Sequence, residues 1–187
     1  MNPLILASAS PRRRQLLTEA GYEFVVDPSG IDEPEPPQGA DVAQYVAELA
    51  WRKAFEVAGR HKTGVVLAAD TSCAVDGEIL NKPVDRDDAE RMIRLQEGRD
   101  TAVLTGVILY CARRREWLGA IETSIVRFRD LTDAERVAHL DSLRWEGKAG
   151  AYGVQDNDPF VSVASGSWSN VVGLPMERLA LMIERFV

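Results

Sequence analysis

Ser8 and Ser10 stand just ahead of three successive arginines, Arg12, Arg13 and Arg14, in the string LILASASPRRRQLL. Hydroxyls beside guanidinium groups suit an anion of the phosphate class. Leu4 to Ala7 reads as a short apolar strand, Ser10 as an N-cap, Pro11 as the first helical residue and Gly21 as the stop. The turn between them exposes free amides at a helix start, where anions are favoured and cations are not. Taken alone, the string equally fits a capped surface helix with a basic first turn. Successive helical residues rotate by about 100°, so the arginines fan out, with one or two expected in a site and the rest in solvent.

Four further residues could join this turn. Glu33 lies in the acidic, Pro- and Gly-rich segment PSGIDEPEPPQGA, which reads as an exposed loop. Lys53 falls on the apolar face of the run DVAQYVAELAWRKAFEVAGRH, where a lysine either snorkels to the edge or points at a partner. Asp70 ends the apolar run VVLAAD and Lys82 follows a hairpin. Two carboxylates and several cations are the parts that polyphosphate hydrolysis requires: hard oxygen ligands for a divalent cation, a base for water, and positive charge on the oxygens that gain charge. A Ser/His/Asp mechanism is poorly supported, because His61 and His139 fall in polar helical contexts and are expected at the surface. Neither a P-loop nor a GxGxxG motif occurs.

The elements that must position these groups follow from the pattern. Phe24 to Val26 reads as a second strand, and Asp41 caps a helix with Val42, Tyr45, Val46, Leu49, Ala50, Ala54 and Val57 on its inner face. The strand VVLAAD is expected to stop at Asp70, placing the carboxylate at a strand end where α/β sheets collect ligands. Asp76 and Gly77 read as a tight hairpin turn, and Asp85 caps a helix that Gly98 ends. TAVLTGVILYCA and EWLGAIETSIVRF form a second hairpin with Arg113 to Arg115 at a solvated tip. Thr132 and Glu135 form a capping box before a helix through about Leu143. From Lys148 to Pro175 the chain is dense in Gly, Ser and Asn and reads as short strands and tight turns. Gly150 and Gly153 allow close backbone approach there, while Tyr152 and Gln155 offer a ring and an amide. Pro175 opens a last helix containing Leu179, Met182, Ile183 and Phe186.

With 187 residues, 45% of them hydrophobic, the chain can bury a full core, most simply as one domain over residues 1–187. A formal charge of -7 argues against a nonspecific nucleic-acid binder. Cys73 and Cys111 sit apart in apolar runs and read as reduced core thiols. No secretory or membrane-spanning pattern is present, so the expected compartment is the cytoplasm, with no membrane and no nucleic-acid partner.

SASPRRR, GIDE, the helix with WRKA, AADT, DGEILNKP, and KAGAYGVQ followed by GSWSNVVGLP occur in one order over nearly the whole length. In that order and spacing the chain resembles the Maf family of nucleoside triphosphate pyrophosphatases. The resemblance implies an α/β fold similar to the inosine triphosphate pyrophosphatase group, with two lobes, an extended mixed sheet flanked by helices, and a central nucleotide cleft. It implies a homodimer, a nucleoside triphosphate substrate cut between the α and β phosphates, and a divalent cation, magnesium or manganese. Asp70 would activate water, Glu33 and Asp70 would hold the metal, and Lys53, Lys82, Arg13, Ser8 and Ser10 would grip the triphosphate. Arg12, Thr71 and Gln155 match the branch that resembles dTTP/UTP pyrophosphatases rather than the 7-methyl-GTP branch. A glutamine amide also suits the O4 and N3–H edge of uracil or thymine. A nucleotide-binding regulator of septum formation acting through a partner is the competing expectation. One departure falls in the pocket: the family usually has glycine after that glutamine, and here Asp156, Asn157 and Asp158 follow.

Overall fold

The computed structural model describes residues 3–37, 39–156 and 158–186. Its centre is a mixed sheet of seven strands, β1 (Leu4–Leu6), β2 (Phe24–Val26), β3 (Val65–Val75), β4 (Glu78–Leu80), β5 (Asp100–Cys111), β6 (Glu116–Phe128) and β7 (Val161–Ser165). The order is β2-β1-β3-β5-β6-β7, with β4 paired to β3 off this path. β2, β1 and β3 run parallel, and β3, β5, β6 and β7 are joined antiparallel. Helices α1 (Pro11–Glu19) and α2 (Val42–Ala58) make the crossovers of the parallel part. They are followed by α3 (Arg86–Gln96), α4 (Asp133–Asp141), α5 (Trp168–Val172) and α6 (Met176–Phe186).

Strand alternation assigns the core. Val66 and Ala68 of β3 pack with Ile5, Ala50, Ala54 and Val57 beneath α2. Val65, Leu67 and Ala69 face the opposite layer with Leu16, Leu17, Leu174 and Leu179 of the α1 and α6 side. A third cluster begins further along β3, at Cys73 and Val75, and contains Met92, Ile93, Phe128, Leu140, Trp145 and Phe160. Both cysteines are free and buried. The caps at Ser10, Asp41, Asp85 and Thr132 form as expected, including the Thr132–Glu135 box. Asp76 and Gly77 both take positive φ, +50° and +82°, as the two-residue turn into β4 requires.

Four expectations are corrected. β3 does not stop at Asp70 but continues to Val75, because β5 pairs with it from Val65 to Ala74 and keeps it extended. The Gly- and Ser-rich segment contributes one strand, β7, and also a helix, α5, capped by Ser167. α4 ends at Asp141 rather than near Leu143, which takes φ +56°. His139 is not at the surface: it is 2% exposed, packs edge-on against Phe160 and directs Nε2 at the Ala151 carbonyl, 2.8 Å away. His61 is half-buried and pairs with Asp27 at 2.8 Å.

Candidate active site

β3 has one fully paired edge and one broken edge. On the broken side β1 pairs only with Val65 to Leu67, and β4 only with Cys73 to Val75. Asp70 falls in the gap between them, between the two core clusters that begin the strand and the one that ends it. A carboxylate that is only 6% exposed is thereby aimed at an opening in the sheet. The cleft at that opening encloses about 640 Å³.

Lys53 crosses to it from α2. Its ammonium is buried, 2.6 Å from Oδ1 of Asp70 and 2.7 Å from Oε1 of Glu33, so the apolar-face lysine points at partners and does not snorkel. Glu33 arrives on the irregular loop before α2, with its side chain 44% exposed. Partial burial alone would raise the Glu33 carboxyl; the hydrogen bond from Lys53 and the charges of Lys53, Lys82 and Arg13 outweigh it and hold the group below its usual range. Lys82 is exposed at the rim of the same cleft.

The start of α1 forms the next wall. Ser8 Oγ accepts from the Ser10 amide at 3.2 Å and from Nη1 of Arg13 at 3.1 Å. Arg13 also donates to the Gly173 carbonyl at 2.7 Å and to Thr71 Oγ1 at 3.1 Å. Burial lowers its pKa, and the charges of Asp70 and Glu33 oppose that shift. Arg12 donates to the Gly147 carbonyl at 2.9 Å, and Arg14 is exposed, so two of the three arginines enter the site. Thr71 is engaged further by Thr105 at 2.9 Å. Gln155 lines the cleft and donates to Asp156 Oδ1 at 3.3 Å. Asp156 faces Lys148, while Asp158 is buried against Arg144 at 3.1 Å; Asn157 lies outside the described residues. Tyr152 also touches the cleft, but its ring packs edge-on to Phe128 in the third core cluster.

Residue types alone did not reveal Tyr45 and Asn81. Tyr45 donates to the Pro34 carbonyl at 3.0 Å, next to Glu33, and accepts from Asn81 at 3.1 Å. Asn81 accepts from Ser72 at 3.0 Å through its side chain and from the Gly150 amide at 3.1 Å through its carbonyl. This chain of bonds ties the loop of Glu33 to β3 and to the Gly-rich segment. Its only sequence signal was a polar residue immediately before Lys82.

Glu33 and Asp70 each bring one carboxylate oxygen within 2.7 Å of a single cation, the Lys53 ammonium. Those two oxygens are taken by the ammonium, and the second oxygen of each carboxylate makes no hydrogen bond among the described residues; hard donors of that kind fit magnesium or manganese, which take one or two carboxylates and complete their shell with phosphate oxygens and water. Among the described residues no group of three or more His, Cys, Asp or Glu is gathered, so such an ion would draw further ligands from substrate and solvent.

An α/β protein with a buried carboxylate in a sheet opening, faced by lysine and arginine, has a cleft charged for an anionic ligand. The family model for Maf-like proteins matches residues 3–186, and the chain belongs to that family. It is 50% identical to a dTTP/UTP pyrophosphatase of Rhodopirellula baltica, over 98% of this chain and 82% of that protein. It is 41% identical to a dTTP/UTP pyrophosphatase of Pelotomaculum thermopropionicum, over 100% and 97%. A solved nucleoside-triphosphatase / dITP/XTP pyrophosphatase of Mycobacterium abscessus aligns at TM-score 0.46 and 14% identity, covering 97% of this chain and 94% of that one. No helix among the described residues is long and apolar enough to cross a membrane.

Proposed function

We propose that this protein hydrolyses dTTP and UTP to the nucleoside monophosphate and pyrophosphate. The observation that carries the proposal is the Glu33–Lys53–Asp70 cluster in a cleft walled by the Ser8, Ser10 and Arg13 turn. Family membership and the names of the relatives support the same reading. Water attacks the α phosphorus, Asp70 accepts its proton, and the bond from that phosphorus to the bridging oxygen breaks to release pyrophosphate. Arg13, Lys82, Ser8 and Ser10 bind the phosphates, and Lys53 neutralises charge and holds both carboxylates in place. Glu33 and Asp70 would hold magnesium or manganese, which supplies Lewis-acid stabilisation of the phosphate oxygens. Arg12, Thr71 and Gln155 set the base preference, and Thr71 also accepts a hydrogen bond from the phosphate-binding Arg13. One domain over residues 1–187, cytoplasmic and homodimeric, completes the proposal.

The test is pyrophosphate release by the purified protein with magnesium or manganese across dTTP, UTP, CTP, dCTP, GTP, ITP and 7-methyl-GTP. Release is expected from dTTP and UTP and lost on chelation. Preference for another triphosphate overturns the base assignment, and no release from any of them leaves the partner-dependent regulator as the better reading.

A further inference from the structure

From the reading of the cleft as a pyrimidine triphosphate site, we infer that Asp156 is a positioning residue that locks the Gln155 amide in one orientation and thereby separates uracil and thymine from cytosine.

The Asp156 carboxylate is shared. Oδ1 accepts from Nε2 of Gln155 at 3.3 Å, and Oδ2 faces the Lys148 ammonium. An ionised carboxylate offers no hydrogen, so only the nitrogen of the amide can face it. The backbone that carries the carboxylate is held in turn: the Asp156 amide donates to the Gly153 carbonyl at 3.0 Å, and Arg144 donates to the Asp156 carbonyl at 3.5 Å. Both side chains lie against the bare Cα of Gly153, where a Cβ would stand 2.4 Å from Gln155 Nε2 and 2.9 Å from Asp156 Oδ2. The second N–H of Gln155 and its Oε1 make no hydrogen bond among the described residues and remain for a ligand.

A free glutamine amide can rotate by half a turn and exchange its donor and acceptor at almost no cost. Uracil and thymine present N3–H as donor and O4 as acceptor, whereas cytosine presents N3 as acceptor and the 4-amino group as donor. The two edges carry opposite orders, so an amide that can flip serves both and an amide that cannot serves one.

The experiment is the ratio of kcat/KM for UTP to that for CTP in the unaltered protein, Asp156→Asn and Lys148→Met. Asparagine keeps the shape but can accept from the Gln155 nitrogen or donate to its oxygen, which permits both orientations. The UTP-to-CTP ratio is expected to fall about tenfold in Asp156→Asn, the worth of one net hydrogen bond. It is expected to hold in Lys148→Met, which removes the ion pair and leaves the lock. An unchanged ratio in Asp156→Asn overturns the inference, as does an equal fall in both variants, which would assign the effect to the ion pair. Should Asp156→Asn fail to fold, Asp156→Ala carries the same test. Failure of the underlying reading is distinct, because the unaltered protein would then hydrolyse neither triphosphate.

Discussion

Lys53 stands where an α2 face otherwise carries Val46, Leu49, Ala50, Ala54 and Val57, and a buried ammonium there is tolerable only because two carboxylates meet it. That redundancy separates structure from chemistry at Asp70. Asp70→Asn retains an oxygen for Lys53 to donate to, and Glu33 still neutralises the ammonium. The melting temperature should therefore move by only a few degrees, while kcat falls by about 10²- to 10⁴-fold because an amide cannot take the proton of water. Retention of most of the rate in a folded Asp70→Asn protein would remove Asp70 from the role of base. Gly153 gives the complementary case on the binding side. A Cβ at that position would meet Gln155 Nε2 at 2.4 Å, the far end of a flexible side chain that can swing away. Gly153→Ala should fold normally yet raise KM for UTP severalfold with little change in kcat; equal KM values in the two proteins would show that the Gln155 amide does not reach the base.

The opening that exposes Asp70 is made by elements. β1 releases β3 after Leu67, β4 takes it up again at Cys73, and β5 holds the opposite edge throughout. α2 lies close over this region because its backbone rests on Gly106, the β5 partner of Asp70 in register. A Cβ at Gly106 would stand 2.6 Å from the Val46 carbonyl oxygen and 3.0 Å from the Ala47 Cα, and backbone has no rotamer with which to yield. Gly106→Ala must lift α2, which carries Lys53. It should cost about 1–3 kcal/mol by chemical denaturation and lower kcat although no cleft residue is altered; native stability and rate together would disprove the close approach as a determinant of the site. Such distances were not legible in the sequence, whereas the caps at Ser10, Asp41, Asp85 and Thr132 were, because capping is local chemistry within a few residues. The turn into α1, with Ser10 as cap and Pro11 as first helical residue, was read from its own residues for the same reason. The length of β3 was not, since the pairing with β5 that extends it past Asp70 is a long-range fact, and apolar runs interrupted by Asp70, Thr71 and Ser72 look like endings. His139 looked like a surface residue because its neighbours are polar; its burial comes from Phe160 and Ala151, which no local window contains. Tyr45 and Asn81 escaped because an ordinary tyrosine and asparagine become a clamp on the Glu33 loop only when α2 and β4 converge.

Across the whole molecule the charge is acidic, with a formal value of -7, and its carboxyls are mostly engaged rather than free. Asp27, Glu33, Glu56, Asp100, Glu135 and Glu177 all lie below their ordinary values of 3.8 for Asp and 4.5 for Glu. Glu135 falls to about 2, through the Arg129 hydrogen bond first and the Thr132 amide and hydroxyl after it. Groups held this way bind protons more weakly in the folded chain than in the unfolded one, so acidification draws the equilibrium toward the unfolded state. Their contribution is present above the ordinary carboxylate values and is lost as the pH falls from there through about 2. Cys73 acts with the opposite sign, because burial pushes its thiol from 9.0 up to about 12 against a weaker opposing hydrogen bond from Tyr152. The unfolded thiol ionises first, and stability from this group is lost as the pH rises from 9.0 toward 12. The melting temperature should therefore hold roughly level between about pH 5 and pH 9 and decline on both sides. Salt distinguishes the causes. Arg129–Glu135 and Arg127–Asp100 are solvent-exposed pairs whose attraction a Debye length of about 3 Å at 1 M salt largely removes, so the acid decline should become shallower there. Cys73 is buried and pays desolvation rather than answering to a screened pair, so the alkaline decline should not respond. A melting temperature that rises on acidification below pH 4, or an acid decline equally steep at low and high salt, would show that these exposed pairs do not set the acid limit.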